Sequence, residues 1–119
     1  MRNRIAGDLL KKIDGPSFEN LVFSELLKLG YKPKYWQKKT GTEVDFIIRM
    51  GGETVPIEVK LRTADNKVES GMRSFIELYS PKRAFIVYSE GEKGDIEVND
   101  TLVSFMDLVQ LRSILEFMK

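Results

Sequence analysis

The 119-residue chain contains no cysteine and no histidine. The first absence excludes disulfides and thiolate metal sites. The second removes imidazole acid–base chemistry, most zinc sites and Ser-His-Asp catalysis. Any chemistry must run on Asp, Glu, Lys, Tyr or Ser, and any bound metal should be a hard, oxygen-seeking cation. Long apolar runs are also lacking. No stretch approaches membrane-spanning length and no signal-peptide pattern opens the chain, so a cytoplasmic protein is expected, with no membrane partner. Nor is there an excess of charge: 19 Lys and Arg stand against 18 Asp and Glu, a net of +1. No global field advertises nucleic acid.

The charges that are present are unevenly spread. Residues 1–50 carry ten Lys/Arg against six Asp/Glu, and residues 51–119 carry nine against twelve. The basic side includes Lys28, Lys32, Lys34, Lys38, Lys39 and Arg49. The acidic side gathers at Glu90, Glu92, Asp95, Glu97 and Asp100. Such clusters are solvated faces more often than binding sites.

Length sets the prior of a single domain over 1–119, large enough to fold without staples. Residues 1–14 show weak helical spacing and read as an N-terminal extension, punctuated by Gly15-Pro16. Ser17 caps a helix that runs to Leu29 and closes on Gly30. Strands follow at 32–37, 42–49 and 53–61, then a polar loop over 62–70 and a helix over 72–79. "RAFIVY" at 83–88 has the continuous apolar character of a buried parallel strand. A short strand falls at 95–98 or 101–103, and Ser104 opens a C-terminal helix over 104–118. Short links make the first three strands an antiparallel meander. The helical link to "RAFIVY" makes that pair parallel. The expected class is α/β: an αβββαβ core with a mixed sheet of four to five strands and helices on both faces.

The two central strands pose the chemical question. "GTEVDFII" and "PIEVK" each place a carboxylate inside an apolar run. Gly51-Gly52 suits a two-residue primed turn, with Met50 opposite Glu53. That register sets Asp45 directly opposite Glu58, in the closer class of cross-strand pair, about 4.5–5.5 Å apart at Cβ. It also sets Glu43 opposite Lys60. Asp45, Glu58, Lys60 and Glu43 then share one face. Val44, Phe46 and Ile48 share the other with Val55, Ile57, Val59 and Leu61. Like charges facing each other destabilise a sheet. Either the polar face is solvated, with Lys60 bridging Glu43 and Glu58, or a cation lies between the carboxylates. A bulge at the glycines would shift the pairing.

On the first helix, Glu19 has Val22, Phe23 and Leu26 at i+3, i+4 and i+7, which sets it inside the apolar stripe. Its plain role is to stabilise the helix N-terminus. If the helix covers the polar face, three carboxylates converge beside Lys60. Such a set would hold Mg²⁺ or Mn²⁺, with Lys60 as a point charge beside a scissile phosphate. That is a site for phosphodiester hydrolysis.

Asp45 followed by Glu58-Val59-Lys60 resembles the D…ExK signature of the PD-(D/E)XK nuclease superfamily. "GPSFENLVFSELLKLGYKPKYWQ", "GTEVDFII", "PIEVK" and "GMRSFIELYSPKRAFIVY" look like the nuclease-like C-terminal domain of prokaryotic AAA-type ATPases. The likeness spans roughly residues 15–90. Val44 stands where that family has proline. The resemblance implies a restriction-endonuclease-like fold and a DNA substrate. It implies metal binding by Glu19, Asp45, Glu58 and the Val59 carbonyl, with Asp45, Glu58 and Lys60 catalytic. The ATPase module is absent from this chain, which reads as an excised domain or a stand-alone relative similar to archaeal Holliday-junction resolvases.

The expected function is a metal-dependent DNA endonuclease, or the nuclease domain of an ATPase. The alternative is a non-catalytic module on the same fold that binds nucleic acid or a partner, and a third reading is a structural domain with a Lys60-centred ion-pair network. Lys38, Lys39 and Arg62 are the expected phosphate binders, with Arg73 behind them. Tyr35 and Trp36 suit base stacking or, more commonly, the core. Apolar residues at 105, 108, 109, 111, 115 and 117 exceed one helical stripe and offer a surface for pairing two subunits.

Overall fold

A computed structural model describes residues 13–63 and 66–118. The expected N-terminal extension, apart from its last two residues, lies outside them. The first helix, α1 (Gly15–Lys28), begins earlier than its sequence suggests. Pro16 fits the first turn, where no amide partner is needed. Asp14 therefore becomes the cap, and its carboxylate accepts from the Ser17 amide at 2.7 Å. The helix closes through Leu29 onto Gly30, whose φ of 91° is open to glycine alone at little cost.

Strands β1 (Lys34–Gln37), β2 (Glu43–Met50) and β3 (Glu53–Thr63) form the antiparallel meander. Helix α2 (Ser70–Tyr79) then leads to β4 (Arg83–Gly91), which pairs parallel with β3. Both segments near the C-terminus that competed for one strand are strands. They are β5 (Gly94–Val98) and β6 (Thr101–Met106), joined at Asn99-Asp100, where Asn99 takes a φ of 54°. The sheet thus has six strands in the order β1-β2-β3-β4-β6-β5, larger than the expected four to five. The last helix, α3 (Leu108–Phe117), starts after Ser104 rather than at it. Ser104 lies in β6, and Asp107 is the cap, in a box with Gln110.

The Gly51-Gly52 turn forms as its composition requires, with both φ values positive and Met50 opposite Glu53. Pro56 costs β3 nothing, because it faces Ile47 in a non-hydrogen-bonded pair and β4 joins the sheet only at Ile57.

The sheet divides two cores. On one face α1 and α3 pack Phe18, Val22, Leu26, Leu111 and Leu115 against Phe46, Ile57 and Phe85. On the other, α2 packs Met72, Phe75 and Ile76 against Val44, Ile86 and Phe105. Among the described residues no helix is long and apolar enough to cross a membrane.

Candidate active site

The β2–β3 pairing runs in the expected register from Met50↔Glu53 to Phe46↔Ile57. One rung further lie Asp45 and Glu58, and there the ladder changes. In an unbroken ladder the Val59 amide would donate to the Val44 carbonyl. Instead it donates to Oδ2 of Asp45 at 2.8 Å. The cause is on the other side of β2. Lys34 pairs with Ile47 but Trp36 pairs with Val44, so Tyr35 faces both Asp45 and Phe46. This is a bulge with one extra residue in β2. It lies at Asp45 itself, not at the glycines.

The bulge reverses which face β2 presents. Phe46, Ile48 and Met50 stay on the α1–α3 side, while Val44 packs beneath α2. Placing Val44 with Phe46, as strict alternation does, is therefore corrected. The Glu43↔Lys60 pairing is lost for the same reason. Glu43 instead accepts a hydrogen bond from the Tyr35 hydroxyl, and Lys60 forms an ion pair with Glu69, the cap position of α2.

Glu58 points to the α2 face with Lys60, opposite Ile86 and Tyr88 of β4. Burial is the largest influence on both acids. It pushes the Glu58 carboxyl up to about 7, helped by the charges of Asp45, Glu69 and Glu43 and opposed by Lys60. Asp45 rises to about 6, again first by burial, with the Val59 amide opposing and the charges of Glu19 and Glu43 adding. Oε2 of Glu58 is buried with no hydrogen-bond partner. The Tyr35 hydroxyl is pushed up to about 12, chiefly by its bond to Glu43, and so remains a donor.

Glu19 is exposed, not within the buried stripe. The stripe runs through Phe18, Val22 and Leu26, and Glu19 lies one residue, about 100°, around from Phe18. Helix α1 covers the apolar face rather than the polar one, so Glu19 does not lean over Glu58. Its charge still acts on Asp45 and Tyr35. Among the described residues no three acidic side chains gather closely enough to hold a cation.

Two carboxylates nonetheless fit one. Mg²⁺ is commonly held by one or two carboxylates, with waters and substrate phosphates completing the shell. A buried carboxylate oxygen without a donor is costly unless it is protonated or meets a positive charge.

Lys38 and Lys39 are exposed in the β1–β2 turn, and Arg62 is exposed near the end of β3, where it pairs with Glu90 at 3.7 Å. All three lie at the Asp45 end of the sheet. Trp36 stacks edge-on against Phe75 at 5.3 Å and belongs to the core beneath α2, whereas Tyr35 is exposed. Glu69 is the site residue that sequence reading missed. It follows a polar loop whose path no periodicity constrains.

The class this defines is a mixed α/β domain in which a parted hairpin presents two desolvated carboxylates and a lysine. Residues 14–108 match a domain of unknown function, DUF4143, and the chain belongs to that family. No curated protein matches it.

Proposed function

We propose that this domain hydrolyses phosphodiester bonds in DNA with Mg²⁺ or Mn²⁺, on the restriction-endonuclease-like fold its sequence resembles. The carrying observation is the half-buried pair Asp45 and Glu58, with one Glu58 oxygen buried and unpartnered at the parted end of the hairpin. These two residues would hold the cation, and the resemblance adds the Val59 carbonyl; Glu19, which the resemblance also implies, stands apart from the pair and acts only through its charge. When bound, the cation would stabilise charge on a phosphoryl oxygen and lower the pKa of water. The Val59 amide fixes the orientation of the Asp45 carboxylate. Lys60 carries the positive charge for a non-bridging phosphate oxygen. Lys38, Lys39 and Arg62 are placed to take flanking phosphates. The same resemblance suggests an AAA-type ATPase module as partner, and we propose a cytoplasmic setting.

One observation favours a second reading. Lys60 is already engaged by Glu69, as suits a non-catalytic module that keeps the motif as a polar network. One experiment separates the two. Purified protein is incubated with linear, branched and single-stranded DNA in Mn²⁺, beside Asp45→Asn and Lys60→Ala. Cleavage that a chelator and both substitutions abolish is the expected result. If no substrate is cut, yet Mn²⁺ raises the melting temperature of the wild type and not of Asp45→Asn, the site binds metal without turnover.

A further inference from the structure

At the far end of the hairpin from Asp45, a hollow of about 620 Å³ opens between β1, β2 and the segment that leaves α1. Lys32, Lys34 and Arg49 line it together with Ile47, Thr54 and Tyr31, and among the described residues no acidic side chain does. The three basic side chains are exposed, and among the described residues none has an ion-pair partner. Arg49 is nevertheless held in place. Its Nη2 donates to the Gly52 carbonyl at 3.0 Å, and its Nη1 reaches the Thr54 hydroxyl at 3.5 Å. A guanidinium anchored on one side keeps its remaining donors pre-aimed.

Three cations around one concavity repel each other and focus a positive field into it. An anion in the hollow removes that conflict. Arg49 and Thr54 form a cross-strand pair four residues nearer the turn than Asp45 and Glu58 on the same two strands. At the usual strand rise that separation is about 13 Å. A single phosphate can meet only the hollow, whereas a chain of phosphates in series can engage the hollow and the carboxylate end together.

We propose that this hollow binds the phosphate backbone of DNA, as a second contact beyond the residues beside the carboxylates. The assignment rests on the nucleic-acid reading above but not on turnover. It places the main electrostatic anchor on Lys32, Lys34 and Arg49, in a chain whose net charge of +1 provides little general attraction.

The test is fluorescence anisotropy of a short labelled DNA in chelator, where nothing can be cut, across a range of salt. Lys32→Ala/Lys34→Ala should weaken binding by about tenfold or more and lower the salt slope by about 2, one per lost phosphate contact. Its melting temperature should stay that of the wild type, since both side chains are exposed. Lys82→Ala, an exposed lysine outside the hollow, should change neither quantity. The inference is overturned if the wild type does not bind DNA, or if the double variant keeps its affinity and slope. Poly-glutamate bound as tightly as DNA would also overturn it, in favour of an acidic protein partner. The two readings fail separately. Loss of binding in the double variant without any cleavage activity leaves the groove standing and removes the nuclease. Cleavage that Asp45→Asn abolishes, with binding untouched in the double variant, does the reverse.

Discussion

The carboxylates of Asp45 and Glu58 lie where a core would place methyl groups, and the fold bears the cost. Each is pushed upward, to about 6 and about 7, from ordinary values of 3.8 and 4.5. A raised acid binds its proton more tightly in the folded chain than in the unfolded one. Stability is therefore greatest below about pH 4 to 5 as far as these groups go, and declines as pH rises towards 7. A series of denaturant midpoints from pH 5 to 8 should fall for the wild type. Glu58→Gln should flatten that fall and be more stable than the wild type at pH 8 by roughly 1–2 kcal/mol. A parallel decline in both proteins would mean that Glu58 ionises as in water. Both acids were legible in the sequence as carboxylates inside apolar runs, but the register set by the Gly51-Gly52 turn holds only as far as Phe46 and Ile57, one rung short of them. The partners of the charged residues were not. Tyr35 reaches Glu43 and Glu69 reaches Lys60 only because a bulge redirects β2, and a bulge leaves no mark on apolar alternation.

Elements were readable where local chemistry decides them. The glycine turn and the apolar run of β4 follow from composition, and the β3–β4 link is helical, so its strands are parallel. The β5–β6 hairpin was only half visible, since its outer strand is short, exposed and acidic, and propensity alone does not select it. The seat of α2 was not visible either. Gly71 lies so close to β2 that an added Cβ would sit 2.0 Å from the Glu43 carbonyl oxygen. A methyl there meets backbone, which cannot rotate away. Gly71→Ala should cost about 1–3 kcal/mol, read as a lowered denaturant midpoint, even though alanine is the better helix former. If the midpoint rises, helix propensity has won and α2 does not pack this tightly. The same contact sets where Glu69 stands, so this variant should also loosen the Lys60 pair and shift metal affinity if the site binds one.

At the scale of the molecule, the sheet has to transmit order between two cores that share no side chains. The α1–α3 layer is held together by Leu111 and Leu115, by the Tyr31 hydroxyl donating to the Leu115 carbonyl at 3.0 Å, and at its rim by Arg112 and Glu25 at 3.6 Å. Trp36, the only tryptophan, belongs to the opposite layer with Phe75 and Val44. It is thus a reporter placed across the sheet from α3. Leu115→Ala removes a fully buried side chain and should cost about 2–5 kcal/mol. Tyr31→Phe should cost about 1 kcal/mol by leaving a buried carbonyl short of its donor. If β2 and β4, which carry residues of both cores, bind the layers into one cooperative unit, Trp36 fluorescence and far-ultraviolet dichroism should shift together in both variants. The two probes would then trace one transition with an unchanged slope. A Trp36 midpoint that stays at the wild-type value while the dichroism midpoint falls would show two independently melting layers. The parted end of β2–β3, which lies between them, would then be free to open without unfolding the domain.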